Sequence, residues 1–292
     1  MARPPAVAGQ FYESTKSGLV QEIERCFLGE LGPGKLPGRA LRQAQDASGR
    51  VGHVLGLVCP HAGYYYSGSA AAHAYKALAA DGIPDIAVLL GPNHYGLGSA
   101  VAVSPDDAWA TPLGSLGADA EVAETILKLS KFAEADELPH TKEHSIEVQL
   151  PFLQYIGGDS IRIVPISIAH LDRDDALALV EDLGHAIAEA ISGKSAVVIA
   201  STDFTHYESQ SVAQARDALA IGQILAMDPQ GLIEVVYSKD ITMCGAIGAA
   251  VMLEACKKLA AITARKLTYY TSGDVSGDTS QVVGYGSLSI ER

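Results

Sequence analysis

The sequence predicts an α/β protein: a single domain with a mostly parallel or mixed central sheet, flanked by helices on both faces. Three observations carry this. Strand-length apolar runs ("VLGLVCPH", "DIAVLLGPNH", "IRIVPISIAH", "SAVVIASTDFTH") alternate with stretches of helical periodicity, and continuous apolar runs mark strands covered on both faces. The chain has 292 residues, 48 % of them hydrophobic, enough to bury one large core. No internal repeat and no shift in composition divides it, so residues 1–292 are read as one domain.

The elements follow in order. Leu19, Ile23, Phe27 and Leu31 recur four apart and form one helical stripe, stopped by Gly32-Pro33-Gly34. Residues 32–52 are polar and Gly-rich and read as a surface loop. A strand over 54–61 ends at His61, a small-residue helix covers 67–80, and a second strand over 85–94 ends at His94. Residues 100–114 alternate and contain Pro and Gly, which suggests a hairpin or an edge excursion. A helix over 119–132 has Asp119 as N-cap and a stripe at Val122, Ile126 and Leu129. Residues 142–156 read as a helix bent or broken at Pro151. A strand at 161–170, an amphipathic helix at 172–192 and a strand at 195–206 follow. Helices at about 211–227, at 229–238 and from Cys244 to about 261 precede the closing strands at 265–273 and 281–290.

The formal charge of −13, from 21 basic and 34 acidic residues, opposes nucleic acid and anionic membrane surfaces as partners. The four cysteines form no C-x-x-C pair and are too sparse for a disulfide scaffold, so a cytoplasmic location is expected. The start "MARPPAVAGQFYES" lacks the apolar core of a signal peptide, and no run reaches the ~18 apolar residues of a membrane span.

Three strands deliver polar residues at their carboxyl ends: His61, His94, and Asp203 with His206. In an open parallel sheet, ligands bind beyond those ends, so these residues are expected to converge on one rim. Each histidine alone reads equally as a loop residue or a satisfied buried one. Pro60 with Gly63, and Pro92 with Gly96, fix and then turn the backbone around His61 and His94. If a helix opens at Asp203, that residue and His206 share a face, and Asp203 orients the ring or binds a metal; otherwise Asp203 is an N-cap. His144 and Glu147 make a second pair at i, i+3, opposite Ile146, Leu150 and Leu153, or else lie on a solvated helix face. His53, His73, His140, His170 and His185 have weaker context. Asp274 and Asp278 sit in "TSGDVSGDTS", which reads as a flexible turn.

Two imidazoles plus one anionic ligand suit a redox-active first-row metal, and two His with one carboxylate is the non-haem iron version. A thiolate in the third place favours iron, copper or zinc over magnesium or calcium, and a neighbouring histidine can serve as general base. Cys244 follows Thr242 at the start of an apolar helix, where unpaired N–H groups and the helix dipole lower a thiol pKa; alternatively it fills a gap. Cys59 and Cys256 read as buried small hydrophobes.

The segments "PAVAGQFY", "PHAGYYYSGSAAAHAY", "LLGPNHYG", "WATPLG", "EHSIEVQLPFLQ", "VPISIA", "STDFTHY", "MCG" and "SGDTSQVVGYGSLSI" span nearly the whole chain in order. With them the sequence resembles the Memo family, which includes the AmmeMemoRadiSam system protein B group. That family is similar in fold to class III extradiol ring-cleaving dioxygenases. The resemblance implies His61 and His94 as the two metal-binding imidazoles, Cys244 in place of the carboxylate ligand, and His206, beside Asp203, near the general base. It implies one iron or copper ion, a redox role, an unknown small-molecule or protein partner, and an association with a radical-SAM protein. Cysteine in the carboxylate place argues against catechol cleavage, the activity of an extradiol-type dioxygenase. Tyr64, Tyr65 and Tyr66 beside His61 suggest instead a non-catalytic peptide- or protein-binding module. A zinc hydrolase would need an open zinc position, and nothing in the chain selects zinc over iron.

Overall fold

The computed structural model describes residues 2–38 and 53–292. A short strand β1 (Ala2–Arg3) leads to helix α1 (Lys16–Leu28), whose Thr15 cap accepts the Gly18 N–H. Leu19, Ile23 and Phe27 are fully buried, whereas Leu31 lies beyond the helix, which ends at Gly29. Of the expected 32–52 loop, residues 32–38 are turns and irregular backbone, and 39–52 lie outside the described residues. Strand β2 (Val54–Cys59), helix α2 (Tyr64–Asp81) and strand β3 (Ile86–Pro92) follow. The 100–114 segment enters the expected hairpin, but its other strand is not at the sheet edge, lying between the strands Arg162–Ile168 and Ala133–Ala135. Strand β4 (Val101–Val103) joins the main sheet, while β5 (Ala108–Thr111) pairs as a hairpin with β6 (Gly114–Gly117). Helix α3 (Ala120–Leu129) is capped by Asp119, which accepts the Val122 N–H; Val122 and Ile126 are buried, but Leu129 is 43 % exposed.

After strand β7 (Ala133–Ala135), the helix expected over 142–156 is cut to a 3₁₀ turn at Glu147–Gln149 and helix α4 (Leu150–Gly157). The Glu143 carboxylate accepts the N–H groups of His144 and Ser145, which holds this stretch out of a helix. Pro151 stands at the start of α4, where a missing N–H costs nothing, so it opens the helix rather than bending it. Next come β8 (Arg162–Ile168), α5 (Arg173–Ile191) and β9 (Ala196–Ser201). The strand expected to reach 206 stops at Ser201, and His206–Glu208 form a separate strand, β10. Helices α6 (Gln210–Leu225), α7 (Pro229–Ser238) and α8 (Ala246–Lys258) precede β11 (Thr263–Thr271), the short helix α9 (Ser272–Ser276) and β12 (Val282–Glu291). Helix α9 occupies the expected turn, stabilised by a capping box between Thr271 and Asp274.

The main sheet runs β10-β12-β2-β9-β3-β8-β4-β7, with β11 paired to β12. Strands β2, β9, β3 and β8 are parallel, and antiparallel β12 and β4 flank them. Leu57, Leu89 and Ile199 pack with α1, α2 and α4 on one face. Val58, Leu90 and Val198 pack with α5 and α8 on the other. No helix among the described residues is long and apolar enough to cross a membrane.

The N-terminal strap is pinned across the 143–147 segment by Glu147, which is fully buried. Its carboxylate pairs with Arg3 at 2.7 Å and accepts the N–H groups of Ala6 and Val7 and the Tyr12 hydroxyl. Glu147 is therefore neither on a solvated face nor a partner of His144. The 3₁₀ turn starting at residue 147 carries its side chain inward, to a cation and donors more than 130 residues away in sequence. Beside it, the Arg3 guanidinium lies 4.1 Å over the Trp109 ring, and buried His140 donates from Nε2 to the Ala102 carbonyl.

Burial holds His140 at about 4, below its ordinary 6.5. The unfolded chain takes up a proton near 6.5 and the folded chain only near 4, so stability is lost as pH falls through that window. The expected loss is about 3 kcal/mol. Urea titrations at several pH values check this: His140→Gln should flatten the dependence, and an unchanged slope contradicts it.

Candidate functional site

Strands β2, β9 and β3 are direct neighbours, with Cys59 opposite Ser201 and Leu90 opposite Ala200. Adjacent strands lie about 4.8 Å apart, so their carboxyl ends deliver His61, Asp203 and His94 to one rim, as expected from the sequence. Cys244 arrives from the segment preceding α8. A Cβ on Gly245 would lie 2.5 Å from the Ser201 carbonyl, so glycine there lets Cys244 reach the end of β9. A Cβ on Gly91 would meet the Ser145 hydroxyl at 2.5 Å, so glycine likewise lets the 143–146 segment rest on β3.

His61, His94 and Cys244 each bring a ligand-type atom to within 4.8 Å of the other two. The hydrogen bonds settle which ring nitrogens are free. Ser201 commits its hydroxyl hydrogen to the Ser145 carbonyl at 2.6 Å and accepts from Gln149 Nε2 at 2.8 Å. It must therefore accept from His61 Nδ1, 3.1 Å away, leaving the His61 Nε2 lone pair facing Cys244 Sγ at 3.2 Å. His94 Nδ1 donates to Glu143 Oε1 at 2.9 Å, which leaves its Nε2 free as well. Glu143 also accepts the backbone N–H groups of His94, His144 and Ser145. Burial pushes its carboxyl up, but the hydrogen bonds from the His94 ring and the Ser145 N–H outweigh it and hold the group at about 2. Burial and the neighbouring His144 and His94 rings hold His61 well below the usual imidazole range, so it is neutral.

Cys244 departs from its sequence expectation in one respect. Burial, reinforced by the Asp203 carboxylate, pushes its thiol up rather than down. The residue precedes the Gly245 N-cap and lies outside α8, so the dipole of the first turn does not govern it. Its sulfur accepts the Asp203 N–H at 3.3 Å.

Asp203 is neither an N-cap nor on a helix face with His206, because residues 202–205 are irregular and a strand follows. Its buried carboxylate accepts the His61 N–H at 2.8 Å, and burial raises it to about 6. His206 is held separately, its Nδ1 donating to the Thr242 carbonyl at 2.9 Å, so its Nε2 carries a lone pair. His144 belongs to the cluster rather than to a solvated face. Its ring stacks on His94 at 4.9 Å, meets His61 edge-on at 5.4 Å and packs on Phe11 at 4.5 Å. His53, His73, His140, His170 and His185 take no part in the His61, His94 and Cys244 cluster or in the neighbouring group of His94, Glu143 and His144. Sequence reasoning missed Glu143, Ser201 and Gln149. Glu143 was signalled only by its place beside His144.

The fold and the rim together define a class: an α/β protein with a two-imidazole, one-thiol cluster at the carboxyl edge of a parallel sheet. The chain belongs to the Memo family, since the family described as Memo-like protein matches residues 3–289. It is 47 % identical to a MEMO1 family protein of Methanopyrus kandleri, over 100 % of both chains. It is 46 % identical to one of Methanothermobacter thermautotrophicus, over 99 % of this chain and 100 % of that one. A MEMO1 family protein of Thermotoga maritima is 44 % identical over the same shares. Among solved structures, an uncharacterized protein of Escherichia coli K12 has a similar fold, with a TM-score of 0.55 and 13 % identity over 81 % of this chain and 99 % of that one.

Proposed function

We propose that this chain binds one redox-active first-row metal ion, iron or copper, through His61 Nε2, His94 Nε2 and Cys244 Sγ, and that the site has a redox role. The observation that carries this is the convergence of two imidazole nitrogens and one cysteine sulfur within 4.8 Å of one another. The donor chemistry fits such an ion: one soft sulfur and two imidazoles are the ligand types that select iron, copper or zinc. Both imidazoles are also oriented from behind, by Ser201 and by Glu143, the arrangement that raises ligand basicity.

Held by His61, His94 and Cys244, an ion of this kind would supply one-electron chemistry. The protein's own groups do the rest. Asp203 fixes the backbone of His61 and, through its N–H, the Cys244 sulfur. His206 Nε2 presents a proton acceptor. A radical-SAM protein is the proposed functional partner, and the cytoplasm the proposed location.

Anaerobic purification followed by elemental analysis tests the reading. The wild type is expected to hold near-stoichiometric iron or copper, and His61→Ala and Cys244→Ser to lose it. Wild-type metal affinity in both variants would overturn the assignment.

A further inference from the structure

A cavity of about 500 Å³ opens from His94 and Cys244 and runs outward along α8 to His170 and Tyr237. That volume suits a small organic molecule. Its middle is walled by Ile168, Val236, Ile241 and Ile247, all at most 7 % exposed. Among the described residues, no lysine or arginine lines it, and the one lining carboxylate is Asp240. Away from the His94 and Cys244 end, an anionic ligand would therefore be desolvated without a side-chain counter-charge, in a chain that already carries −13. Near the His94 end the wall includes Asn93, whose buried Oδ1 has no hydrogen-bond partner among the described residues. An unsatisfied buried acceptor favours a ligand that brings a donor. At the other end the His170 and Tyr237 rings lie nearly parallel, 6.0 Å apart.

We propose that the substrate of the His61–His94–Cys244 site is an uncharged, mostly apolar molecule with a hydroxyl at one end, an alcohol or phenol, seated in this cavity; the word substrate rests on that site being the reactive centre. The apolar body lies along Ile168, Val236, Ile241 and Ile247, and the hydroxyl lies at the Asn93, His94 and Cys244 end. Phosphorylated and carboxylated compounds are rejected. The second cleft, about 460 Å³ beside Phe11 and Tyr65, is lined by none of His61, His94 and Cys244 and serves as the control.

Calorimetric titration of chelator-stripped protein with 2-naphthol is the test, with 2-naphthyl phosphate as the anionic comparison. One saturable site for 2-naphthol is expected, with the phosphate at least about tenfold weaker. Ala169→Trp, which fills the cavity from the end of β8, should weaken 2-naphthol at least about tenfold. His170→Trp, at the exposed rim, disturbs no buried side chain and provides the same comparison if the first variant misfolds. Tyr65→Ala should leave binding unchanged. Absence of saturable binding, indifference to every folded filling variant, or equal binding of the phosphate would overturn the proposal. Because the titrated protein carries no metal, the two readings fail separately. Retained 2-naphthol binding with no metal affinity removes the metal and keeps the cavity ligand; metal affinity with no 2-naphthol binding does the reverse.

Discussion

Replacing Glu147 by alanine is expected to lower stability by about 3–5 kcal/mol, the cost of leaving a buried charge without its partner. The Arg3 and Glu147 side chains are 4 % and 0 % exposed, so solvent cannot take over the lost contact. Three further donors lose their acceptor together: the Ala6 and Val7 N–H groups and the Tyr12 hydroxyl. The strap they hold also carries Phe11 onto the His144 ring at 4.5 Å, so its release is felt at the rim as well. Denaturant titration measures the loss. Arg3→Ala combined with Glu147→Ala should cost less than the sum of the single changes, because the pair leaves no unpaired charge. A loss below about 1 kcal/mol for Glu147→Ala would place the pair among weak surface contacts and contradict its role as the pin of the N-terminal strap.

Glu143→Gln is expected to weaken metal binding about 10–100-fold, the usual consequence of removing a carboxylate that orients a ligating imidazole. The amide keeps one acceptor oxygen, but its NH₂ faces donors that both carboxylate oxygens now accept: the His94 N–H on one, and the His94 ring and the His144 and Ser145 N–H groups on the other. One set must lose its bond, and His94 is no longer held with Nε2 free. Chelator competition gives the affinity, and circular dichroism checks that the fold survives. An affinity within about twofold of wild type would mean that Glu143 is structural only.

The parts of this site legible in the sequence were those announced by local pattern. His61, His94 and Asp203 each follow a continuous apolar run, and such runs in a parallel sheet end at a common edge. For Cys244, local pattern gave only a place at the start of an apolar helix, and its position beside the histidines came from the family resemblance. The adjacency of β2, β9 and β3 was not legible, since β9 is inserted between strands that precede it by more than a hundred residues. Glu143 and Glu147 misled for one shared reason. Both lie in a stretch whose periodicity reads as a helix, yet each carboxylate is claimed by distant donors: Glu143 by His94, 49 residues away, and Glu147 by Arg3, 144 residues away. Periodicity registers neighbours at three and four residues and is blind to such partners. The thiol of Cys244 misled in a different way: a dipole argument applies within the first turn, and burial decides two residues before it.

X-ray absorption at the metal edge of anaerobically purified protein tests the central claim most directly. The account predicts one sulfur neighbour with imidazole nitrogens around a single iron or copper ion, and loss of the sulfur contribution in Cys244→Ser. A shell of oxygen and nitrogen only, or a spectrum unchanged by Cys244→Ser, would contradict it.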